Sequence, residues 1–68
     1  MPVVRFCFSR SRTVREVAYE EGETYADLIL RCGLIPDTVL IFTGDQSLPE
    51  DAPVCEEEVT IEETASRG

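Results

Sequence analysis

Thr24-Tyr25-Ala26-Asp27-Leu28-Ile29-Leu30-Arg31-Cys32-Gly33 is the stretch that decides the fold. Tyr25, Leu28, Ile29 and Cys32 recur at the spacing that lines up one apolar face of a helix. Thr24 has the chemistry of an N-cap, and Asp27 occupies the reciprocal position of a capping box, at the positive end of the helix dipole. Gly33 suits the left-handed position after the helix, where Leu34 makes the apolar contact that accompanies such a cap. Pro36 prevents the helix from resuming.

On either side of this helix the pattern changes to strands. Val3 to Phe8 is rich in branched and aromatic residues, and alternation places Val4, Phe6 and Phe8 on one face. Ser9-Arg10-Ser11-Arg12 is a polar hairpin connection. A second strand covers residues 13 to 19, with Val17 and Tyr19 inward and Val14 out of phase, the mark of a bulge. Glu20 to Glu23 form a turn. After the helix come a strand at Val39 to Thr43, a turn at Gly44-Asp45, and a short strand at Gln46 to Leu48. The loop Pro49 to Pro53 carries two prolines that forbid a central strand. A final strand holds Val59 and Ile61.

A lone amphipathic helix must bury its face on a sheet. With the first and last strands as parallel central neighbours, the order gives an α+β roll, the β-grasp arrangement, with a mixed sheet of four to five strands packed on one helix. The domain is expected over residues 1–62, followed by a flexible tail over 63–68.

Composition narrows the function. The chain has 68 residues, 43% of them hydrophobic, which suits one small globular domain. Such a domain buries only about 60% of its unfolded surface. Room for a self-contained enzyme is scarce. The longest apolar run, Val39-Leu40-Ile41-Phe42, is too short to span a membrane, and no signal peptide is expected. The formal charge is −8, which disfavours nucleic-acid binding. The acid surplus fits either a docking surface for a basic partner or a source rich in salt.

The three cysteines, Cys7, Cys32 and Cys55, form no CxxC pair, and without His the mixed zinc sites cannot form. They read as small buried hydrophobes in a reducing cytoplasm; a redox or thioester role has no supporting spacing. Glu56-Glu57-Glu58 with Glu62-Glu63 reads as a solvated edge, with no nucleophile or base that would make it catalytic. Nor does any Gly-rich phosphate loop occur. The acidic loop Asp45 to Asp51 lacks the EF-hand calcium spacing, so no metal is expected.

The run Gly22-Glu-Thr-Tyr-Ala-Asp-Leu28, the ending Cys32-Gly33-Leu34 and the segment Val39 to Asp51 with Leu48-Pro49-Glu50-Asp51 resemble the ubiquitin-like sulfur carriers. Within that group the chain is most similar to the small archaeal modifier proteins, relatives of the carriers of thiamine and molybdopterin synthesis. The resemblance runs from Val3 to Gly68. An archaeal, halophilic source would account for the acid surplus and the missing Lys.

The resemblance implies that the C-terminus does the work. An E1-like activating enzyme would use ATP to adenylate the terminal carboxylate of Gly68, with no cofactor bound by the modifier itself. The product would be joined to a Lys of a target protein or become a thiocarboxylate. A tail entering a narrow channel favours Gly, which has no side chain to clash. Family members end in Gly-Gly; here Arg67 stands at the penultimate position, and Glu63, Thr64, Ala65 and Ser66 replace the usual apolar residues. The chain has no Lys, so only the α-amine of Met1 could accept another modifier.

A second candidate site is a partner-binding patch of Leu40, Phe42 and Val3. If Val39 and Ile41 face the helix, alternation turns Leu40 and Phe42 outward, where an apolar cluster would dock a partner. A non-covalent interaction module using that face, with an inert tail, is the alternative reading. The chain is expected to be monomeric and cytoplasmic, free of nucleic-acid and membrane partners.

Overall fold

A computed structural model of the chain describes residues 2–64. Strands β1 (Val3–Phe8) and β2 (Thr13–Ala18) form a hairpin, followed by helix α1 (Tyr25–Arg31) and a 3-10 turn at Pro36–Thr38. Strands β3 (Val39–Thr43), β4 (Gln46–Leu48) and β5 (Glu58–Glu63) complete the sheet. The sheet order is β2-β1-β5-β3-β4, with β1 and β5 parallel and every other pair antiparallel. This is the β-grasp roll.

The helix forms where the sequence places it. Thr24 is the N-cap: its side chain accepts the Asp27 N–H, and the Thr24 N–H donates to the Asp27 carboxylate. The loop from Pro49 to Pro53 satisfies two more helix N–H groups, Tyr25 to the Ala52 carbonyl at 3.2 Å and Ala26 to Glu50 at 2.8 Å. At the other end Gly33 adopts φ +87°, and the N–H groups of Gly33 and Leu34 bond back to Leu30 and Ile29. Those two bonds are a Schellman closure, which needs a residue free of the left-handed penalty.

Val4, Phe6, Val17, Val39, Ile41, Val59 and Ile61 line the sheet's inner face and meet Tyr25, Leu28 and Ile29 of the helix, all buried. Full burial of each large side chain contributes about 1.5–3 kcal/mol before chain entropy is charged. The alternation expected for β1, β3 and β5 holds.

Three readings are corrected, and the one for Pro36 is extended. The β1–β2 register runs residue for residue from Val3↔Ala18 to Phe8↔Thr13, so Val14 marks no bulge. It lies on the face opposite the core, opposite Cys7, and is 60% exposed. Pro36 opens a turn of 3-10 helix, its fixed φ suiting the first helical position. The cysteines are not buried: Cys55 is exposed, while Cys7 and Cys32 are partly buried. Cys7 sits on the uncovered sheet face, and Cys55 in the loop before β5. Finally, β5 includes Glu63, and Thr64 donates both its N–H and its hydroxyl to the Thr38 carbonyl, at 2.8 and 3.1 Å. The first two residues expected in the tail are therefore held by the sheet and the turn beside it.

Candidate functional site: the open sheet face and the end of the last strand

Among the described residues, alternation leaves one sheet face without a helix. Across it the register aligns Val14, Cys7, Thr60, Phe42 and Ser47, one residue from each of the five strands. A neighbouring row holds Glu16, Arg5 and Glu58. Leu40 stands opposite Glu62.

Leu40 is 45% exposed and Phe42 half-buried, both turned outward as expected, with Val39 and Ile41 buried behind them. Val3 does not join them. It lies on β1, separated from β3 by β5, and the Cys7↔Thr60↔Phe42 alignment places it four residues along the strand from Phe42's level. At about 3.3 Å per residue and 4.8 Å per strand, Val3 stands roughly 16 Å from Phe42 and farther from Leu40. The patch of three is thus a pair, Leu40 and Phe42, and Val3 belongs to another part of the face.

The polar groups of this face engage one another. The Cys7 thiol donates to the Glu58 carboxylate at 3.0 Å, and Arg5 approaches the same carboxylate at 3.8 Å. The hydrogen bond to Glu58 is the main reason the Cys7 thiol titrates above its ordinary value; desolvation and the carboxylate's charge add to it, and Arg5 opposes. A thiol held protonated is a poor nucleophile. The half-exposed Arg5–Glu58 pair contributes at most about 1 kcal/mol.

A groove runs between β2 and the end of α1, lined in part by Arg15, Val17, Tyr19, Glu23 and Arg31. Arg31 crosses it, donating to the Ala18 carbonyl at 2.9 Å and pairing with Glu23. The Glu20 N–H donates to Glu23 at 2.9 Å. That bond first, and the Arg31 contact second, hold the Glu23 carboxyl below its ordinary range. Arg31 and Glu23 satisfy each other, and the partly buried Cys32 also lines the groove. Among the described residues no group of three His, Cys, Asp or Glu side chains is placed to hold a metal ion, and no helix is long and apolar enough to cross a membrane.

The other candidate site, Arg67 and Gly68, lies outside the described residues. What the structure shows is where the chain heads toward it. β5 lies at the sheet centre between β1 and β3, and ends beside the β1–β2 hairpin, where the Ser9 N–H bonds to the Ile61 carbonyl at 3.1 Å. Opposite, the Thr64–Thr38 bonds fix the chain to the 3-10 turn.

One role escaped the sequence. Tyr25, read only as part of an apolar helix face, also accepts the N–H groups of Cys55 and Glu56 through its hydroxyl, 3.3 Å each. A buried Tyr at a helix start commonly finds a partner for its hydroxyl, but nothing local identifies which.

Comparison with known proteins bears on the same question. No curated protein matches the chain. The family model described as small archaeal modifier protein 2 matches residues 7–62, nearly the whole described domain.

Proposed function

The chain belongs to the small archaeal modifier protein 2 family, a family of ubiquitin-like modifiers, and from this premise we propose that it acts through the carboxylate of Gly68. A carboxylate oxygen of Gly68 attacks the α-phosphorus of ATP on an E1-like activating enzyme. Pyrophosphate leaves, and the acyl adenylate carries the leaving group that a free carboxylate lacks. A Lys amine of a target protein then displaces AMP to give an isopeptide, or hydrosulfide displaces it to give a thiocarboxylate. The modifier supplies shape and the activating enzyme supplies catalysis; ATP is that enzyme's substrate.

The observation that carries this reading is the family match on a β-grasp domain. Arg67 is the residue that tests it. A channel shaped for Gly-Gly would reject it, whereas a partner adapted to this chain would seat it.

Intact mass after incubation with ATP and the activating enzyme of the same source decides the matter. The native chain is run beside a Gly68-deleted form and Arg67→Gly. An adenylate or thiocarboxylate on the native chain, lost on deleting Gly68, is the expected result. Activation of Arg67→Gly alone would mean that the native end is refused.

A second reading has its own observation: Leu40, 45% exposed, beside Phe42 on a sheet face that no helix of the described residues covers. It makes the domain a non-covalent docking module. In that case Leu40→Asp abolishes partner binding, and deletion of Gly68 leaves it intact.

A further inference from the structure

Charge is distributed unevenly along this chain. All fourteen carboxylates come from Glu16 onward, while the preceding residues hold Arg5, Arg10, Arg12 and Arg15. Both ion pairs among the described residues use other arginines, Arg5 with Glu58 and Arg31 with Glu23. Arg10, Arg12 and Arg15 thus share one hairpin without a carboxylate partner among the described residues, on a molecule of charge −8.

The hairpin is built to hold its shape. The Arg12 N–H bonds to the Phe8 carbonyl at 2.8 Å, the Ser11 and Thr13 hydroxyls meet at 2.7 Å, and the Ser9 N–H is tied to Ile61 of β5. Arg12 adopts φ 58°, the only described non-glycine residue in the left-handed region. A Cβ there costs about 1–2 kcal/mol that Gly would not incur. The chain therefore carries a guanidinium where the backbone alone would favour Gly. Strain retained at an exposed position points to use of the side chain.

Its location says what that use is. β1 and β5 are parallel and in register from Arg5↔Glu58 to Phe8↔Ile61, so the hairpin follows β1 at the end of the sheet where β5 ends. One strand spacing, about 4.8 Å, separates the two backbones there. Glu62 and Glu63 lie at that end as well and offset part of the charge, but neither forms an ion pair with the arginines among the described residues. The Arg10/Arg12 hairpin and the last described residues of β5 thus share one end of the sheet.

We propose that the Arg10/Arg12 hairpin docks a carboxylate-rich protein surface bordering the entrance through which the activating enzyme takes the end of this chain. The inference rests on the modifier reading above. The activating enzyme is the occupant chosen because the hairpin stands at the end of the sheet where β5 ends; an oligonucleotide is the anionic alternative that the test separates. Charges at the rim of an interface act chiefly on encounter, so the effect belongs in KM rather than kcat.

The test compares the native chain with Arg10→Glu/Arg12→Glu, Arg12→Gly and the Gly68-deleted form, at a salt concentration where all melt cooperatively. Binding to the activating enzyme is measured by calorimetry without ATP, and adenylation by pyrophosphate release. The double reversal is expected to weaken binding and raise KM about tenfold with kcat unchanged. Arg12→Gly relieves the turn, so it should melt no lower than the native chain and still bind about threefold more weakly. Unchanged binding and KM in the double reversal overturn the proposal, as does a loss confined to kcat. Binding of a short oligonucleotide by the native chain, abolished by the reversal, would also overturn it by assigning the arginines to nucleic acid. Adenylation that survives deletion of Gly68 instead overturns the modifier reading, and the calorimetric comparison still judges the hairpin.

Discussion

The Tyr25 hydroxyl accepts the Glu56 N–H at 3.3 Å, tying the first residue of the helix to the loop that leads into the last strand. The same oxygen accepts Cys55. Tyr25 is 1% exposed, so Tyr25→Phe keeps the packing and strands two partly buried N–H groups. We expect a loss of about 1–2 kcal/mol, seen as a fall in melting temperature of roughly 5–15 °C for a domain of this size. A change too small to resolve would show that water serves those N–H groups equally well.

Glu23 should give the domain a measurable acid dependence. The Glu20 N–H, then Arg31, lower its pKa in the folded chain. A carboxylate with a lowered folded value stabilises fully above its unfolded value, about 4.3 for Glu, and that contribution disappears as pH falls through the folded value. Glu23→Gln should therefore melt below the native chain at neutral pH, with the gap closing as pH falls through the lowered folded value. Equal melting at pH 7 would show that the pair contributes nothing.

Much of this architecture is legible in the residues, and the failures are informative. The helix announces itself because caps and an apolar stripe are local signals, written by Thr24, Asp27 and Gly33 within one short stretch. β1, β3 and β5 are readable because each buries alternate residues. β2 misleads because it is an edge strand with only Val17 buried; with one buried position it has no alternation from which to fix phase, and Val14 looks displaced. Val3 is misplaced for a different reason. Its relation to Leu40 passes through β5, paired across some fifty residues, and no neighbouring residue encodes that register. The Tyr25 hydroxyl bonds are hidden likewise, since their donors come from a loop remote in the chain.

The three thiols should separate by reactivity. Cys55 is exposed in a loop, while Cys7 donates to Glu58 and is held protonated to higher pH. Iodoacetamide at mildly alkaline pH, followed by peptide mass analysis, should label Cys55 well before Cys7. Glu58→Gln removes the carboxylate and should speed labelling of Cys7. Equal rates for Cys7 in the two forms would mean that Glu58 has no hold on the thiol.

The charge of −8 gives a salt response of known sign. The Debye length shrinks from about 10 Å at 0.1 M to about 3 Å at 1 M, which screens repulsion among surface carboxylates. Melting temperature should rise across that range, and more steeply than in a variant with Glu56, Glu57 and Glu62 changed to Gln. A flat profile would mean the acids are spaced widely enough to be indifferent to one another.

The parallel pairing of β1 with β5 has a consequence for synthesis. The strand at the centre of the sheet is the last of the five to be made, and β1 and β3 each depend on it for their second neighbour. On the ribosome, the amino-terminal hairpin and the helix emerge first and must wait, because a nonlocal pairing brings no gain until its partner exists. A chain interrupted anywhere before Glu58 has a gap where its middle should be, and cannot bring the two halves of the sheet together. Only a molecule translated through β5 can complete the five-stranded sheet.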